Sequence, residues 1–202
     1  KLNKSLYGLK QAPRVWHITL ADFFISQGFN QLIKDRCVFT RYIDGNICIV
    51  SAYVDDLIII TNNTPTMLAF KKDLCEQFTM TDLGPANYIL GWHIHRDRPN
   101  RTLFVNQHKY AQKVLERFGM SEIHATRTPL EANTILRHED RPTTDTEKIE
   151  MTEKPYRQVI GSLMCLMVGT RPDLATLIRE TFQHLDNPGQ KHWNALHRSL
   201  RY

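Results

Sequence analysis

The sequence lacks long apolar runs, paired cysteines and glycine-rich phosphate loops. No stretch approaches the about 18 apolar residues of a membrane-spanning helix. The nearest candidate, Val159–Val168, is short and holds Gly161 and Ser162. No secretory leader is visible, so nothing points to export. The four cysteines, Cys37, Cys48, Cys75 and Cys165, form no CxxC pair. That spacing argues against a zinc ribbon and against a disulfide framework, and leaves reduced thiols in a core as the expectation. No GxSxG, GxGxxG or P-loop occurs, which removes the common signatures of serine hydrolases, dinucleotide enzymes and P-loop nucleotidases.

What remains is a soluble-type composition of 202 residues, 42% hydrophobic, with a net charge of +5. The charge is uneven. Lys1, Lys4, Lys10 and Arg14 open the chain with no acid among them, and a second basic block runs through Arg96, Arg98, Arg101, Lys109, Lys113 and Arg117. The stretch 121–155 is acidic on balance. Two basic segments suit a polyanion held in a groove. On charge alone, solvated faces are the simpler reading. The chain begins at Lys1 and closes on Arg201 and Tyr202, and both ends are expected to be cut from something longer.

Periodicity supplies the elements. Pro13 suits a first helical turn, and Trp16, Leu20, Phe23, Phe24 and Gln27 recur near 3.6 residues, so a helix is expected over 13–27 with Gly28 ending it. "CVFTRYI" reads as a strand, Asp44-Gly45 as a hairpin turn, and "NICIVSAYV" as the returning strand. "LIIIT" is the next strand and "NNTPTM" a loop. Met67–Phe78 reads as a helix with Phe70, Leu74 and Phe78 on one face. "NYILGWHIH" and "TLFVN" read as two strands of a second hairpin. Gln107–Phe118 follows as a helix with Tyr110, Val114, Leu115 and Phe118 inward and Gly119 as its cap. Residues 121–154 read as a polar loop or linker, and 156–168, 172–185 and 188–202 as three helices.

The chemistry concentrates in "YVDD". Asp55 and Asp56 interrupt a β-branched run, and burying an unpaired carboxylate costs several kcal/mol. A turn between two strands removes that cost by lifting the acids to the rim of a sheet. Two adjacent carboxylates there suit Mg²⁺, a hard ion that prefers one or two carboxylates plus phosphate oxygens and water. In two-metal sites the ions sit about 3.5–4 Å apart and clamp the attacking and leaving oxygens. Asp55 is expected as the direct ligand and Asp56 as the weaker or second-metal ligand. A complete site needs a carboxylate from another strand. A polar turn is the plainer reading of "DD" by itself. His93 with His95, and His192 with His197, lack a convincing third ligand and read as solvated or hydrogen-bonded. Tyr7, Trp92 and Trp193 are candidates for stacking on bases, with core packing as the plainer reading.

The ordered set "SLYGLKQAPR", "YVDDLIII", "FTMTDLG…YILGWHI", "QHKYAQKVLERFGM" and "YRQVIGSLMCLMVGTRPDLA" with "NPGQKHWNALHRSLRY" resembles the reverse transcriptase of Ty1/copia-type LTR retrotransposons. The resemblance covers nearly the whole chain. It implies an α+β fold: a partial polymerase palm of antiparallel strands with two packing helices, then a mostly helical thumb and connection. It divides the chain into partial palm at 1–95, the rest of a primer-grip hairpin and first thumb helix at 96–120, the linker at 121–154 and a helical region at 155–202. It implies RNA-directed DNA polymerisation with Mg²⁺ or Mn²⁺, with Asp55 and Asp56 as metal ligands. Tyr7, Gly8 and Lys10 would approach the nucleotide, with Tyr53 beside the primer end and Val54 near the sugar. Arg14, Gly91, Trp92, Arg96, Arg98, Arg101, Lys109 and Lys113 would contact nucleic acid, which turns the basic block from a solvated face into phosphate contacts. Implied partners are a primed RNA or DNA template, deoxynucleotide triphosphates, upstream palm and fingers, and a downstream RNase H segment, with no membrane. The implied location is cytoplasmic, in a virus-like particle, or nuclear.

Two departures from that pattern stand out. The family's third metal carboxylate lies upstream of Lys1. Thr81 stands where many relatives carry a lysine able to protonate the leaving pyrophosphate, help worth about 10²–10⁴ in rate. The chain by itself is therefore expected to be inactive, and metal binding is expected only in the complete enzyme. The other reading is a truncated, non-catalytic remnant that binds nucleic acid or a protein partner. A missing palm strand would also leave an open sheet edge and poor solubility.

Overall fold

The computed structural model describes residues 5–202, so Lys1 and Lys4 of the basic opening lie outside the described residues. The chain forms two compact units, Lys1–Ala86 and Asn87–Tyr202. Its architecture is mixed α/β, with two antiparallel sheets and, among the described residues, seven α-helices. No helix among those residues is long and apolar enough to cross a membrane.

In the first unit α1 runs over Ala12–Ser26 with Pro13 in its first turn. Strands β1 (Asn30–Gln31), β2 (Val38–Ile43), β3 (Asn46–Tyr53) and β4 (Asp56–Thr61) form an antiparallel sheet in that order, so β4 is an edge. Asp44 and Gly45 both take positive φ, 48° and 75°, as a type I′ turn requires. Helix α2 spans Thr64–Gln77. It begins earlier than its apolar pattern suggests, because the Asn63 side chain accepts the Thr66 N–H at 2.9 Å and Pro65 fits the first turn. The start expected as loop is thus a cap. Along β3 burial alternates, and Cys48, Val50 and Ala52 face the helices. Phe24, fully buried, meets Phe39 at 4.8 Å between ring centroids and Phe29 and Phe70 at 5.9 Å. This aromatic cluster joins α1, α2 and one sheet face.

In the second unit the run 87–95 is not one strand. β5 (Tyr88–Ile89) turns at Leu90-Gly91 and pairs back on β6 (Trp92–Asp97), with Ile89 opposite Trp92. Leu90 and Gly91 take φ of 50° and 85°. Glycine adopts that region freely, and an apolar Leu before it gives no turn signal, so the run reads as continuous in sequence. β7 (Thr102–Asn106) completes a three-stranded meander. Helix α3 (His108–Arg117) buries Val114, with Tyr110, Leu115 and Phe118 partly buried against the same core.

The segment 121–154 is not a plain linker. It holds a short 3₁₀ turn, His138–Asp140, and helix α4, Asp145–Thr152. A capping box starts α4: Thr144 Oγ1 accepts the Glu147 N–H at 3.3 Å, and Glu147 Oε2 accepts the Thr144 N–H at 3.1 Å. Contacts distant in sequence pin the rest. Thr126 N–H donates to the Arg201 carbonyl at 2.8 Å, and Lys191 pairs with Asp140 at 3.0 Å. Helices α5 (Tyr156–Gly169), α6 (Ala175–Phe182) and α7 (Gln190–Ser199) enclose the second core. A 3₁₀ turn, Pro172–Leu174, precedes α6, so the expected helix over 172–185 is two shorter pieces. Of the four cysteines only Cys48 is buried; Cys37, Cys75 and Cys165 are exposed, against the expectation of core thiols. A cysteine's burial follows from which face of its element meets the core, and thiol spacing does not encode that.

Candidate functional site

The acids reach the rim because strand alternation stops one residue before them. Ala52 is the last inward residue of β3, Tyr53 pairs with Asp56, and Val54 and Asp55 form the two-residue tip. Asp55 and Asp56 are both exposed. Neither carboxylate accepts a hydrogen bond or joins an ion pair among the described residues. Their oxygens are therefore open to an external cation.

The tip is strained. Val54 has φ 54°, the left-handed region that a β-branched side chain resists, at a cost of about 1–3 kcal/mol. Such strain persists only where neighbours hold it. The Trp16 indole N–H donates to the Val54 carbonyl at 2.8 Å. Trp16 meets Phe78 edge-on at 5.4 Å, and Phe78 meets Phe23 at 5.2 Å. Helix α1 thus braces the aspartate turn. Helical spacing places Trp16 only on a helix face, since a hydrogen bond spanning 38 residues leaves no local signal.

Tyr53 is 58% exposed and Val54 63%. Tyr7 is almost fully exposed, which overturns core packing as its reading. Gly8 has φ 91°, a conformation that side chains disfavour, in the turns that lead into α1. Lys10 and Arg14 are exposed, and neither is hydrogen-bonded to Asp55 or Asp56 among the described residues. Thr81 is exposed in the loop after α2.

In the second unit Gly91 sits in the β5–β6 turn and Trp92, 38% exposed, opens β6. Arg96, Arg98, Arg101, Lys109 and Lys113 are all exposed, and none forms an ion pair among the described residues. Lys109 and Lys113 lie four apart on α3 and so share a face. Lys109 Nζ lies 5.7 Å from the centroid of the Tyr88 ring. Trp193 packs partly buried against the helical core. His93 and His95 are exposed, whereas His192 is buried and hydrogen-bonded on both ring nitrogens.

The donor set can be tested against a divalent ion. Two exposed carboxylates are the hard ligands Mg²⁺ accepts, with phosphate oxygens and water completing its shell. No cluster of three or more His, Cys, Asp or Glu able to hold a metal occurs among the described residues. The pair therefore fits as part of a site.

Comparison with known proteins adds the following. The family described as "Reverse transcriptase (RNA-dependent DNA polymerase)" matches residues 1–132. The whole chain aligns with the retrovirus-related Pol polyprotein from transposon TNT 1-94 of Nicotiana tabacum at 44% identity, over 15% of that protein. It aligns with the Pol polyprotein from transposon RE2 of Arabidopsis thaliana at 33% identity, over 13% of its length. A putative transposon Ty5-1 protein of Saccharomyces cerevisiae is 25% identical over the whole chain and 63% of its own length. The chain thus spans under a sixth of the Pol polyproteins it matches. No solved structure matches it.

Proposed function

Because this chain belongs to the reverse transcriptase (RNA-dependent DNA polymerase) family, as a segment of the copia-type retrotransposon kind, we propose that it supplies part of the palm and thumb of such a polymerase. The observation that carries the reading is the pair of free carboxylates on a strained, braced hairpin tip. Asp55 would hold the catalytic metal and Asp56 the same or a second one. When bound, the ions supply the electrostatic clamp on the attacking and leaving oxygens.

The chain's own residues do the rest by position. Tyr53 would support the primer end and Val54 border the sugar of the incoming nucleotide. Tyr7 and Gly8 would line the nucleotide, with Lys10 and Arg14 facing phosphates. Gly91 and Trp92 would grip the primer backbone. Arg96, Arg98, Arg101, Lys109 and Lys113 would follow the duplex as phosphate contacts, which fix register without reading sequence. A primed template and deoxynucleotide triphosphates are the substrates.

The third carboxylate and the fingers would come from upstream in the parent polyprotein, and an RNase H segment would lie downstream. The edge strand β4 fits this. Past Asp56 at its start it offers Leu57, Ile58, Ile59 and Ile60 with no further charge or proline to block pairing, so the chain alone should be poorly soluble without an added strand. Primer extension on an RNA template with Mg²⁺ or Mn²⁺ tests the proposal. The chain alone should not extend, the polymerase containing it should, and Asp55→Asn should abolish extension. Full extension by Asp55→Asn refutes the assignment.

A further inference from the structure

We propose that Trp16 is a positioning residue for the aspartate turn, acting through the Val54 carbonyl. This rests on reading Asp55 and Asp56 as metal ligands. The Val54 carbonyl and the Asp55 N–H belong to one planar peptide unit, which rotates as a rigid plate. Whatever grips that carbonyl therefore fixes the plane from which the Asp55 side chain departs. The Trp16 indole does so at 2.8 Å. The turn needs this help, because Val54 sits at φ 54° and a β-branched residue would otherwise relax toward negative φ, rotating the plate.

The indole is itself immobilised. It meets Phe78 edge-on, and α1 is locked into the core by Leu20, Ala21 and Phe24. Its ring N–H can only donate, so an acceptor at the tip is the partner it requires. Mg²⁺ demands near-ideal octahedral geometry, so a small tilt of one carboxylate matters. Mn²⁺ is more tolerant of distortion.

Trp16→Phe separates the roles, since phenylalanine keeps an aromatic contact with Phe78 and removes the donor. In this chain, backbone amides of 53–56 should exchange with deuterium about fivefold faster, the equivalent of one hydrogen bond removed, while amides between β2 and β3 keep their rates. In the polymerase that contains this chain and its upstream carboxylate, kcat with Mg²⁺ should fall by about the same factor. The fall with Mn²⁺ should be smaller, and KM for the nucleotide unchanged. Unaltered exchange at 53–56 overturns the proposal. So does a fall equal in both metals accompanied by faster exchange throughout the sheet, which marks a merely structural role. Asp55→Asn run in parallel keeps the two ideas apart. If it retains extension, the metal-ligand reading fails, and the exchange measurement alone judges Trp16.

Discussion

Acid should destabilise the helical unit before Asp140 and Asp173 take up protons, and the cause is a buried pair of imidazoles. His192 is fully buried. Its Nδ1 accepts the Gly189 N–H at 2.9 Å, so Nε2 carries the proton and donates to the Arg137 carbonyl at 3.1 Å. A second proton on Nδ1 would face a donor. The His184 ring stacks on His192 at 3.9 Å, and the His138 ring lies edge-on to His184 at 5.5 Å. Burial first, and then the neighbouring His184, push His192 from its ordinary 6.5 down to about 4. Lys191 acts in the same direction, while the Arg137 hydrogen bond and Asp140 oppose it. His184 is lowered by burial, then by His138 and Arg141, against Asp140 and Glu180.

The unfolded chain therefore binds these protons first. Stability from the neutral His192 is complete above pH 6.5 and is lost as pH falls toward 4, and the lowered His184 acts in the same direction. For His192, integrating between those two values down to pH 5 gives a ceiling of about 2 kcal/mol, which solvent screening lowers to about 1 kcal/mol. The carboxylates of Asp140 and Asp173 are held below 3.8 by Lys191 and Arg171, so their contribution is lost in a separate, more acid window. Urea unfolding of the chain at pH 7.5 and pH 5, followed through the NMR resonances of His184 and His192, reads the effect. The midpoint should fall at pH 5. An unchanged midpoint, or imidazole resonances titrating at the ordinary histidine value, would refute the reasoning.

Three further outcomes are expected. Phe24→Ala should cost about 3–5 kcal/mol in urea unfolding of the first unit, because Phe24 is fully buried against Phe29, Phe39 and Phe70. Gly189→Ala should destabilise the second unit in the same assay, because a Cβ there would run into the Asp140 backbone carbonyl, which no rotamer change relieves. On the proposed phosphate contacts, replacing Arg98, Arg101, Lys109 and Lys113 together with alanine should weaken binding to a duplex uniformly across sequences. The log–log salt slope, measured by fluorescence anisotropy, should become shallower by about 0.9 for each phosphate that is no longer neutralised.

Much was settled by the sequence alone. Helix α1, strands β2, β3 and β4 and the helix after them followed from hydrophobic period and turn residues, because both act over a few neighbours, whereas the two-residue strands β1 and β5 are too short to show a period. "YVDD" between two apolar strands placed the acids at a turn, since burial of two carboxylates is too costly elsewhere. Phe24 and Val114 announced themselves as core by helical spacing. Local reasoning failed where a local signal was weak or unusual. Leu90 in a left-handed turn resembles strand, and the Thr144 capping box is submerged in a polar segment.

Only the tertiary structure could decide what depends on residues far apart in the chain. The indole of Trp16 meets Val54 across 38 positions, and His192 meets Arg137 across 55. Such pairs form because two packed surfaces bring a donor and an acceptor together, and composition and spacing carry no record of that. The segment 121–154 is ordered by α7 and the residues after it for the same reason, through Lys191 and Arg201. Sequence chose the chemistry of the acidic turn, and packing chose the residue that holds it in shape.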